Sequence, residues 1–422
     1  MMTAVQQTSR PPIAIVSIIL SMGLLAIGNG LLFAYVPVRL TEAGFPPWVP
    51  GAVVTGLAAG SIVGCLASGW IVRRVGHARA FAVGAAGIVL SVLMIALAVD
   101  AALWIASRTL YGVSAAALFI VSQSWLNDAS PNHWRGKVIG AFYMIYVVAI
   151  GFGSFLLRYV DLDGPDAALL AIFFTTLGIL PVSLTRLATP PPPAAINIAI
   201  RSVWKISPVG FMGMVAVGGL TLLVQGFSPI YVAAEGYGKE DVGLLMFLMQ
   251  LGMIAVQYPL GALSDRMDRR IVLIAAACMV IGTALLASRV DIADFVVVAV
   301  IFALWAGATE SIYSVANAHA NDRAEPQYYV SLSSTMLIAW SVSGLVLPGI
   351  ATGLTSILGP RAFMYVAAGI AAAYGLFVLF RMVRREHSAS DETGNYQQIS
   401  AQAPYHTELS PHIDENAGVP HD

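Results

Sequence analysis

Twelve long apolar runs follow one another along this chain of 422 residues, and they constrain its fold more than any other feature. A helix needs about 17 to 25 mostly apolar residues to cross a bilayer, and each run has about that length. The first is too long for the apolar core of a signal peptide. We therefore predict an all-α integral membrane protein with twelve transmembrane helices. The runs lie near residues 13–36, 49–72, 80–99, 101–126, 138–157, 167–187, 209–232, 242–263, 271–287, 295–318, 330–354 and 362–382.

Composition argues against the soluble classes of function. Hydrophobic residues make up 58% of the chain and charged residues 11%, whereas soluble domains have about 25% charged residues. The net charge of −1 gives no indication of nucleic-acid binding. Cys65 and Cys278 each lie inside an apolar run without metal-ligand spacing, which favours a packing role. Because no nucleophile motif or glycine-rich phosphate loop is present, we predict no enzyme, no cofactor and no metal site.

The distribution of cations predicts the orientation of the helices. With the amino terminus in the cytoplasm, sixteen of the 22 lysine and arginine residues fall on the cytoplasmic side and five on the opposite side. The remaining one, Arg108, lies within a span. Lysine and arginine are enriched in the cytoplasmic loops of membrane proteins. We therefore predict a multi-pass protein of the cell membrane, in bacteria the inner membrane, with both termini in the cytoplasm.

An internal repeat divides the spans into two groups of six. Four residues of the first two spans recur 192 positions later, and an Asn-Asp pair after the fourth span recurs 194 positions later. Glycine is common in membrane helices, but an almost constant offset across three helices indicates a duplicated unit. Two six-helix halves of the same orientation are then related by an axis along the membrane normal. The recurring residues are Pro37 and Pro229, Gly51 and Gly243, Gly60 and Gly252, Gly69 and Gly261, and Asn127-Asp128 and Asn321-Asp322.

These boundaries divide the chain into five segments. Residues 1–12 form a polar cytoplasmic leader, residues 13–187 the first six-helix half and residues 207–385 the second half. The cytoplasmic linker at 188–206 begins with a run of prolines, which favours an extended spacer. The stretch after the prolines suits either a short helix on the membrane surface or a plain tether. The polar tail at 386–422 is predicted to be disordered.

Charged runs between neighbouring spans resemble a family signature. The run at 261–270 (GALSDRMDRR) resembles the Gly-x-x-x-Asp-Arg-x-Gly-Arg-Arg loop of the major facilitator superfamily, with Asp268 in place of the usual glycine. The run at 108–112 (RTLYG) resembles the Arg-x-x-x-Gly pattern in the fourth helix of that family. The resemblance covers about residues 13–385. It implies the major facilitator fold and secondary transport.

The first-half copy of this signature departs from the family pattern. Arg73 stands where the family usually has aspartate, although Gly69 and Arg74 are kept. By the resemblance, Asp265 and Arg266 in the second copy form the contact of the cytoplasmic gate. The residues predicted for the gate or the cytoplasmic mouth are Gly69, Arg73, Arg74, Gln123, Gly261, Asp265, Arg266 and Arg270.

A narrower resemblance points to the YcaD-like branch of this superfamily. It rests on the runs at 122–127 (SQSWLN) and 318–322 (AHAND), together with Arg135-Gly136. Members of this branch are largely assigned as transporters without a settled substrate. They often carry glutamate at the position of Gln123, so this chain would couple protons elsewhere or not at all.

Polar side chains inside the spans are the candidates for a transport site, because the bilayer centre penalises an ionisable group by at least ~2.5 kcal/mol. Arg108 lies in the fourth span and Glu310 in the tenth, and either could instead hold a structural bond or ion pair. The resemblance implies that spans one, four, seven and ten line the pathway. Tenth-span polar residues recur at helical spacing on one face. The residues predicted for substrate binding or coupling are Asn29, Arg108, Gln225, Glu310, Tyr313 and Asn317.

The predicted function is secondary active transport of a small organic solute by alternating access. Burial favours the protonated form of a carboxyl group, so Glu310 could carry the coupled proton. The fifth span lacks the Gly-Pro hallmark of drug–proton exchangers, although a drug or metabolite exporter of the same fold stays an alternative. An alternative of another class is a membrane sensor or scaffold that binds a solute without moving it. The expected partners are the solute, protons and the lipid bilayer, and the expected state is a monomer.

Overall fold

The computed structural model describes residues 13–46, 48–130, 134–185, 198–290, 294–325 and 328–384. The predicted leader, the linker prolines and the polar tail lie outside these residues. Twelve helices within them are long and apolar enough to cross a membrane. The predicted all-α fold with twelve spans is thereby confirmed.

The first six spans form one bundle. Helix α4 packs against α2 and α3, and α1 packs against α5 and α6. Asp100 caps the start of α4, since its carboxylate accepts a hydrogen bond of 2.8 Å from the backbone N–H of Leu103. The helices are α1 (Ile13–Glu42), α2 (Trp48–Val75), α3 (His77–Leu97), α4 (Ala101–Ala129), α5 (Arg135–Phe155, prolonged by a 3-10 turn at Leu156–Tyr159) and α6 (Asp166–Leu184).

The remaining spans repeat this arrangement. Helix α12 packs against α10 and α11, and α8 packs against α13 and α14. The seventh span consists of α8, a π-helical turn and α9. The elements are the short α7 (Ile200–Ile206), α8 (Pro208–Leu222), the π turn (Leu223–Phe227), α9 (Ser228–Ala234), α10 (Lys239–Ser264), α11 (Arg269–Ala287), α12 (Phe295–Asn321), α13 (Tyr329–Leu358) and α14 (Ala362–Arg384).

Close helix packing explains one pair of recurring glycines. A Cβ atom placed at Gly60 would lie well under 3.0 Å from the carbonyl oxygen of Thr109 in α4. A Cβ atom at Gly252 would overlap the carbonyl oxygen of Ala303 in α12 in the same way. Small residues let membrane helices approach this closely. The α2–α4 and α10–α12 contacts therefore repeat each other at equivalent positions.

A second pair of recurring glycines lies where the two halves meet. Gly51 of α2 contacts Thr352 of α13, and Gly243 of α10 contacts the backbone of Ser154 in α5. Both glycines lie near the starts of their helices. These contacts are therefore at the end of the bundle opposite the two signature loops, which follow α2 and α10. We call the end with the signature loops the basic end and the other the closed end.

Helix α7 joins the linker to the second half. Trp204 packs its ring against Phe211 and Phe377, with ring centroids 5.9 and 6.0 Å away. The backbone N–H of Ala199 donates a hydrogen bond of 2.9 Å to the Thr335 hydroxyl group. Residues Ile200–Ile206 therefore form a short helix that packs on the bundle through the aromatic side chain of Trp204.

Candidate functional site

A cavity of about 150 Å³ lies between the two halves, near the middle of the spans. Residues of α1, α2, α4 and α5 form one side, and residues of the seventh span, α10 and α13 form the other. The wall is mostly apolar. Its aromatic residues are Phe33, Tyr111, Phe119, Tyr146 and Trp340, and its amide and hydroxyl residues are Asn29, Ser61, Thr221, Gln225, Gln250 and Ser341.

Two glutamines form a polar pair on the second-half side of the cavity. Gln225 lies in the π turn at Leu223–Phe227, and its Oε1 accepts a hydrogen bond of 3.1 Å from Nε2 of Gln250. The Nε2 of Gln225 lies 3.2 Å from the sulfur of Met253. Single π turns inside α-helices are frequent at functional sites. The π turn thus places Gln225, one of the residues predicted from the sequence, at the cavity wall, where its side-chain amide bonds that of Gln250.

Four lining side chains have a buried polar atom without a hydrogen-bond partner among the described residues. They are Oδ1 of Asn29, Oγ1 of Thr221, Oε1 of Gln250 and Nε1 of Trp340. Leaving such an atom unbonded costs about 1–3 kcal/mol. A polar solute or water in the cavity would supply these hydrogen bonds. The cavity therefore has the chemistry of a binding site for a small molecule with both donors and acceptors.

Arg108 lies behind the aromatic wall. The residue is 3% exposed, and its guanidinium carbon is 4.4 Å from the centre of the Tyr111 ring and 5.7 Å from that of Phe33. Its Nη1 has no hydrogen-bond partner among the described residues. None of the ion pairs among the described residues includes Arg108, so Arg108 does not pair with Glu310 in this conformation.

The three predicted residues of the tenth span lie apart from the cavity. Glu310, Tyr313 and Asn317 are buried in α12, and α12 contributes no residue to the described cavity wall. Nδ2 of Asn317 donates to the Tyr313 carbonyl oxygen at 3.0 Å and lies 3.4 Å from the sulfur of Met214. Helices α8, α10 and α11 pack against α12. In this conformation the cavity is thus lined by spans one, four and seven of the four expected for the pathway, together with spans two, five, eight and eleven.

Sequence reasoning missed the aromatic part of the site. The residues Tyr111, Phe119, Tyr146 and Trp340 line the cavity, and none of them was predicted for the site. The sequence does not distinguish a buried aromatic residue that faces a cavity from one that faces a neighbouring helix. The available signal was the spacing of Tyr111, Ala115 and Phe119, which puts two rings and a small residue on one face of α4.

At the basic end, Arg269 forms the buried contact of the second signature loop. The residue is 2% exposed, and its Nε lies 2.6 Å from Oδ2 of Asp322, at the end of α12. Its Nη1 lies 3.6 Å from Oδ1 of Asp265 and donates to Oγ of Ser264 at 3.1 Å. Arg266 is exposed. In this conformation Asp265 therefore pairs with Arg269.

The replacement of the signature glycine by Asp268 has a structural explanation. Asp268 has a φ angle of −54° and caps α11, where its carboxylate accepts from the backbone N–H of Arg270 at 2.9 Å. Its Oδ2 also lies 2.6 Å from Nη2 of Arg270. The equivalent Gly76 has a φ angle of 81°, which favours glycine. The two loops thus differ in backbone conformation as well as in charge.

The first-half loop is more exposed. Arg73 and Arg74 are exposed, and the guanidinium carbon of Arg74 lies 5.3 Å from the Trp70 ring centre. His77, which lies 192 positions before Arg269, is buried with Nε2 at 3.0 Å from Oγ of Ser124. The arginine contact of the second half is therefore replaced here by a histidine.

Three further residues predicted for the gate or the cytoplasmic mouth are Gln123, Gly261 and Gly69. Gln123 is buried near the basic end of α4, where its Nε2 donates to the Tyr143 hydroxyl group at 3.3 Å. It is not part of the described cavity wall. Gly261 is buried and Gly69 is half-buried, each in the last part of its helix.

Comparisons with known proteins agree with this architecture. The sequence matches the model of the Major Facilitator Superfamily over residues 3–154 and 209–410. It is 25% identical over 358 residues to the MFS-type transporter YcaD of Salmonella arizonae, and 24% identical over 359 residues to that of Salmonella typhimurium. Each alignment covers 84% of this chain and 92% of the relative.

Solved structures show the same fold. A crystal structure of the nucleoside transporter NupG has a TM-score of 0.69 at 9% identity, covering 89% of this chain and 100% of that chain. The human organic anion transporter MFSD10 (TETRAN) has a TM-score of 0.58 at 14% identity, covering 87% of this chain and 100% of that chain. Identities this low support a shared fold and nothing finer. With its twelve spans and the family match over most of its length, this chain belongs to the major facilitator superfamily of membrane transporters.

Proposed function

We propose that this protein is a secondary active transporter that moves a small organic solute by alternating access through the central cavity. The observation that supports this most is the unbonded polar atoms on both sides of a cavity between two repeated halves. Transporters with internal repeats bind their solutes near the bilayer midplane, between the repeats. Because the two halves of one chain complete the cavity, we propose that the monomer is the transporting unit.

The packing of the halves suggests which side of the cavity is shut. Phe155 and Phe247 meet across the halves at the closed end, with ring centroids 5.8 Å apart, and Lys239 donates a hydrogen bond to the carbonyl oxygen of Val160. The excess of cations at the basic end supports the proposal that this end faces the cytoplasm, in a bacterial inner membrane with both termini inside. Solute would then exchange with the cytoplasm in this state. Rocking of the halves would open the closed end.

Alternating access can be tested through a native thiol without knowing the solute. Cys65 lines the cavity, and Cys278 is the other cysteine of the chain. In a Cys278→Ser variant, we expect a membrane-impermeant maleimide to label Cys65 from the cytoplasmic face in inside-out vesicles and, more slowly, from the other face in right-side-out vesicles. Labelling confined to one face would favour the sensor or scaffold alternative.

A disulfide across the halves provides the control for this experiment. A Cβ atom at Gly226 would lie 3.6 Å from the Cβ of Val54, within the range of about 3.5–4.5 Å that disulfides adopt. In a Val54→Cys/Gly226→Cys protein, oxidation is expected to abolish labelling of Cys65 from the outer face only. Reduction should restore it. Unchanged outer labelling after complete oxidation would contradict rocking at the closed end.

We also propose that transport is coupled to protons through Glu310. It is 1% exposed, and the other acidic residues of the spans lie at or near helix ends. Because α12 does not reach the cavity wall here, the proton would act by changing the packing of α12 against α8 and α10 rather than by touching the solute. A buried carboxylate in a membrane span is a candidate for this role.

Glu310→Gln is expected to abolish accumulation driven by a pH gradient while leaving solute counterflow intact, because the neutral amide mimics the protonated acid. The measurement uses proteoliposomes and a solute identified by thermal stabilisation of the purified protein. Glu240→Gln, at an exposed site near the start of α10, is the matched control and should leave both activities unchanged. Normal accumulation in the Glu310 variant would exclude this carboxylate as the proton carrier.

A further inference from the structure

We infer that the central cavity binds an organic anion that has a flat apolar body and one negative charge stabilised by Arg108. This inference specifies the substrate class of the proposed transporter and therefore rests on that function. It depends on three features of the described residues: the charge behind the wall, the lack of an acidic group to neutralise it, and the aromatic character of the lining.

The charge behind the wall is fixed and incompletely satisfied. Arg108 is buried against the faces of Tyr111 and Phe33, and both rings line the cavity. Ring faces attract a cation, but they do not replace the hydrogen bonds that a guanidinium group makes in water. Nη1 has no partner in the described part of the chain. An anion at the cavity wall would supply the missing hydrogen bond to Nη1 after a rotation of the Arg108 side chain.

No acidic residue lies close enough on the packed helices to neutralise Arg108. Helices α1, α2 and α3 pack against α4, and the acidic residues of these four helices are Glu42 and Asp128, at the ends of α1 and α4. The nearest acidic residue along the chain is Asp100, the exposed cap of α4, which lies 8 positions before Arg108, about 12 Å along a helix, and accepts a hydrogen bond from the backbone N–H of Leu103. Asp128 is 20 positions from Arg108, which is about 30 Å along a helix. The described wall contains no carboxylate. The cavity therefore has a positive potential, and weak screening at this depth strengthens its effect on a bound charge.

The rest of the lining defines the uncharged part of the solute. Phe33, Tyr111, Phe119 and Tyr146 present rings from the first half, and Trp340 presents an indole from the second. A flat apolar body stacks favourably on such rings. A volume of about 150 Å³ suits one small ring system. An aryl or heteroaryl carboxylate combines this body with the charge that Arg108 favours, and an organic cation of the same shape is disfavoured.

Three probes that share the indole ring system and differ in charge test the inference on the intact protein. They are indole-3-acetate, indole-3-acetamide and tryptamine, which are anionic, neutral and cationic at pH 7. Isothermal titration calorimetry of the purified wild-type protein is expected to give indole-3-acetate a Kd at least tenfold lower than that of indole-3-acetamide, with no binding of tryptamine. Equal affinities of acetate and acetamide, a preference for tryptamine, or no binding of the acetate would overturn the inference.

Substitutions at Arg108 assign the preference to this residue. In Arg108→Gln, the Kd values of the acetate and the acetamide are expected to agree within threefold, and retained acetamide binding shows that the cavity is intact. Arg108→Lys keeps the charge and should keep part of the preference. A tenfold preference that persists in Arg108→Gln would contradict the role of Arg108. The Cys65 labelling experiment uses no solute, so alternating access can hold even where the anion preference fails.

Discussion

Gly60→Val is expected to prevent the chain from folding into a stable bundle. A Cβ atom at Gly60 overlaps the carbonyl oxygen of Thr109, and one at Gly112 on the facing helix overlaps that of Leu57. The backbones of α2 and α4 are thus in direct contact, with a glycine of each helix against a carbonyl group of the other. Overpacking usually costs about 1–3 kcal/mol where side chains can shift, and a helical carbonyl group cannot shift, so we expect a larger loss. The measurement is the yield and thermal stability of monodisperse protein in detergent.

Gly282→Val is the matched control for this substitution. Gly282 also lies within a membrane helix, α11, but nothing lies within 4 Å of a Cβ atom placed there. We expect wild-type yield and a change in stability of less than about 1 kcal/mol from helix propensity alone. If Gly60→Val behaves like Gly282→Val, the α2–α4 contact is looser than the structure indicates.

These glycines also show how far the sequence predicts the fold. Hydropathy located all twelve spans, and the recurring glycines marked the contacts that repeat between the halves. Hydropathy ended the first span near residue 36, whereas α1 continues to Glu42 through Arg39. Helical hydrogen bonds do not stop where apolar residues stop, so hydropathy underestimated the length of α1. The π turn at Leu223–Phe227 was also missed, because it leaves the apolar pattern unchanged.

The candidate site was harder to predict, because the sequence pattern does not show which helices pack against one another. Polarity, together with the pathway spans that the family resemblance implies, singled out Asn29 and Gln225, which do line the cavity. Helical spacing grouped Glu310 with its polar neighbours on α12, but spacing does not say which helices pack against that face. Trp340 carried no signal, since an indole inside a span suits packing as well as binding. Which helices surround the cavity is set by tertiary packing and by the conformation of the transporter.

Asp322→Asn is expected to destabilise the protein by about 3–5 kcal/mol, because it leaves a buried arginine without its closest partner. Arg269 is 2% exposed, and both Nε and Nη2 donate to the Asp322 carboxylate, at 2.6 and 3.4 Å. The measurement is thermal and denaturant stability of the purified variant. Asp265→Asn is the comparison. Its carboxylate lies 3.6 Å from Arg269 and is 34% exposed, so we expect a loss of about 1 kcal/mol or less.

An apolar double variant separates two contributions to stability: the penalty for burying the Arg269 and Asp322 charges, and the gain from the attraction between them. Arg269→Met with Asp322→Leu removes both charges, and replacing a buried pair by apolar side chains is often neutral or stabilising. We therefore expect it to recover most of the stability lost in Asp322→Asn. If the double variant is as unstable as the single one, the hydrogen bond from Arg269 to Ser264 or other packing of the loop dominates. Recovered stability together with lost transport would instead indicate that the pair, as the contact between the start of α11 and the end of α12, is kept for the transport cycle.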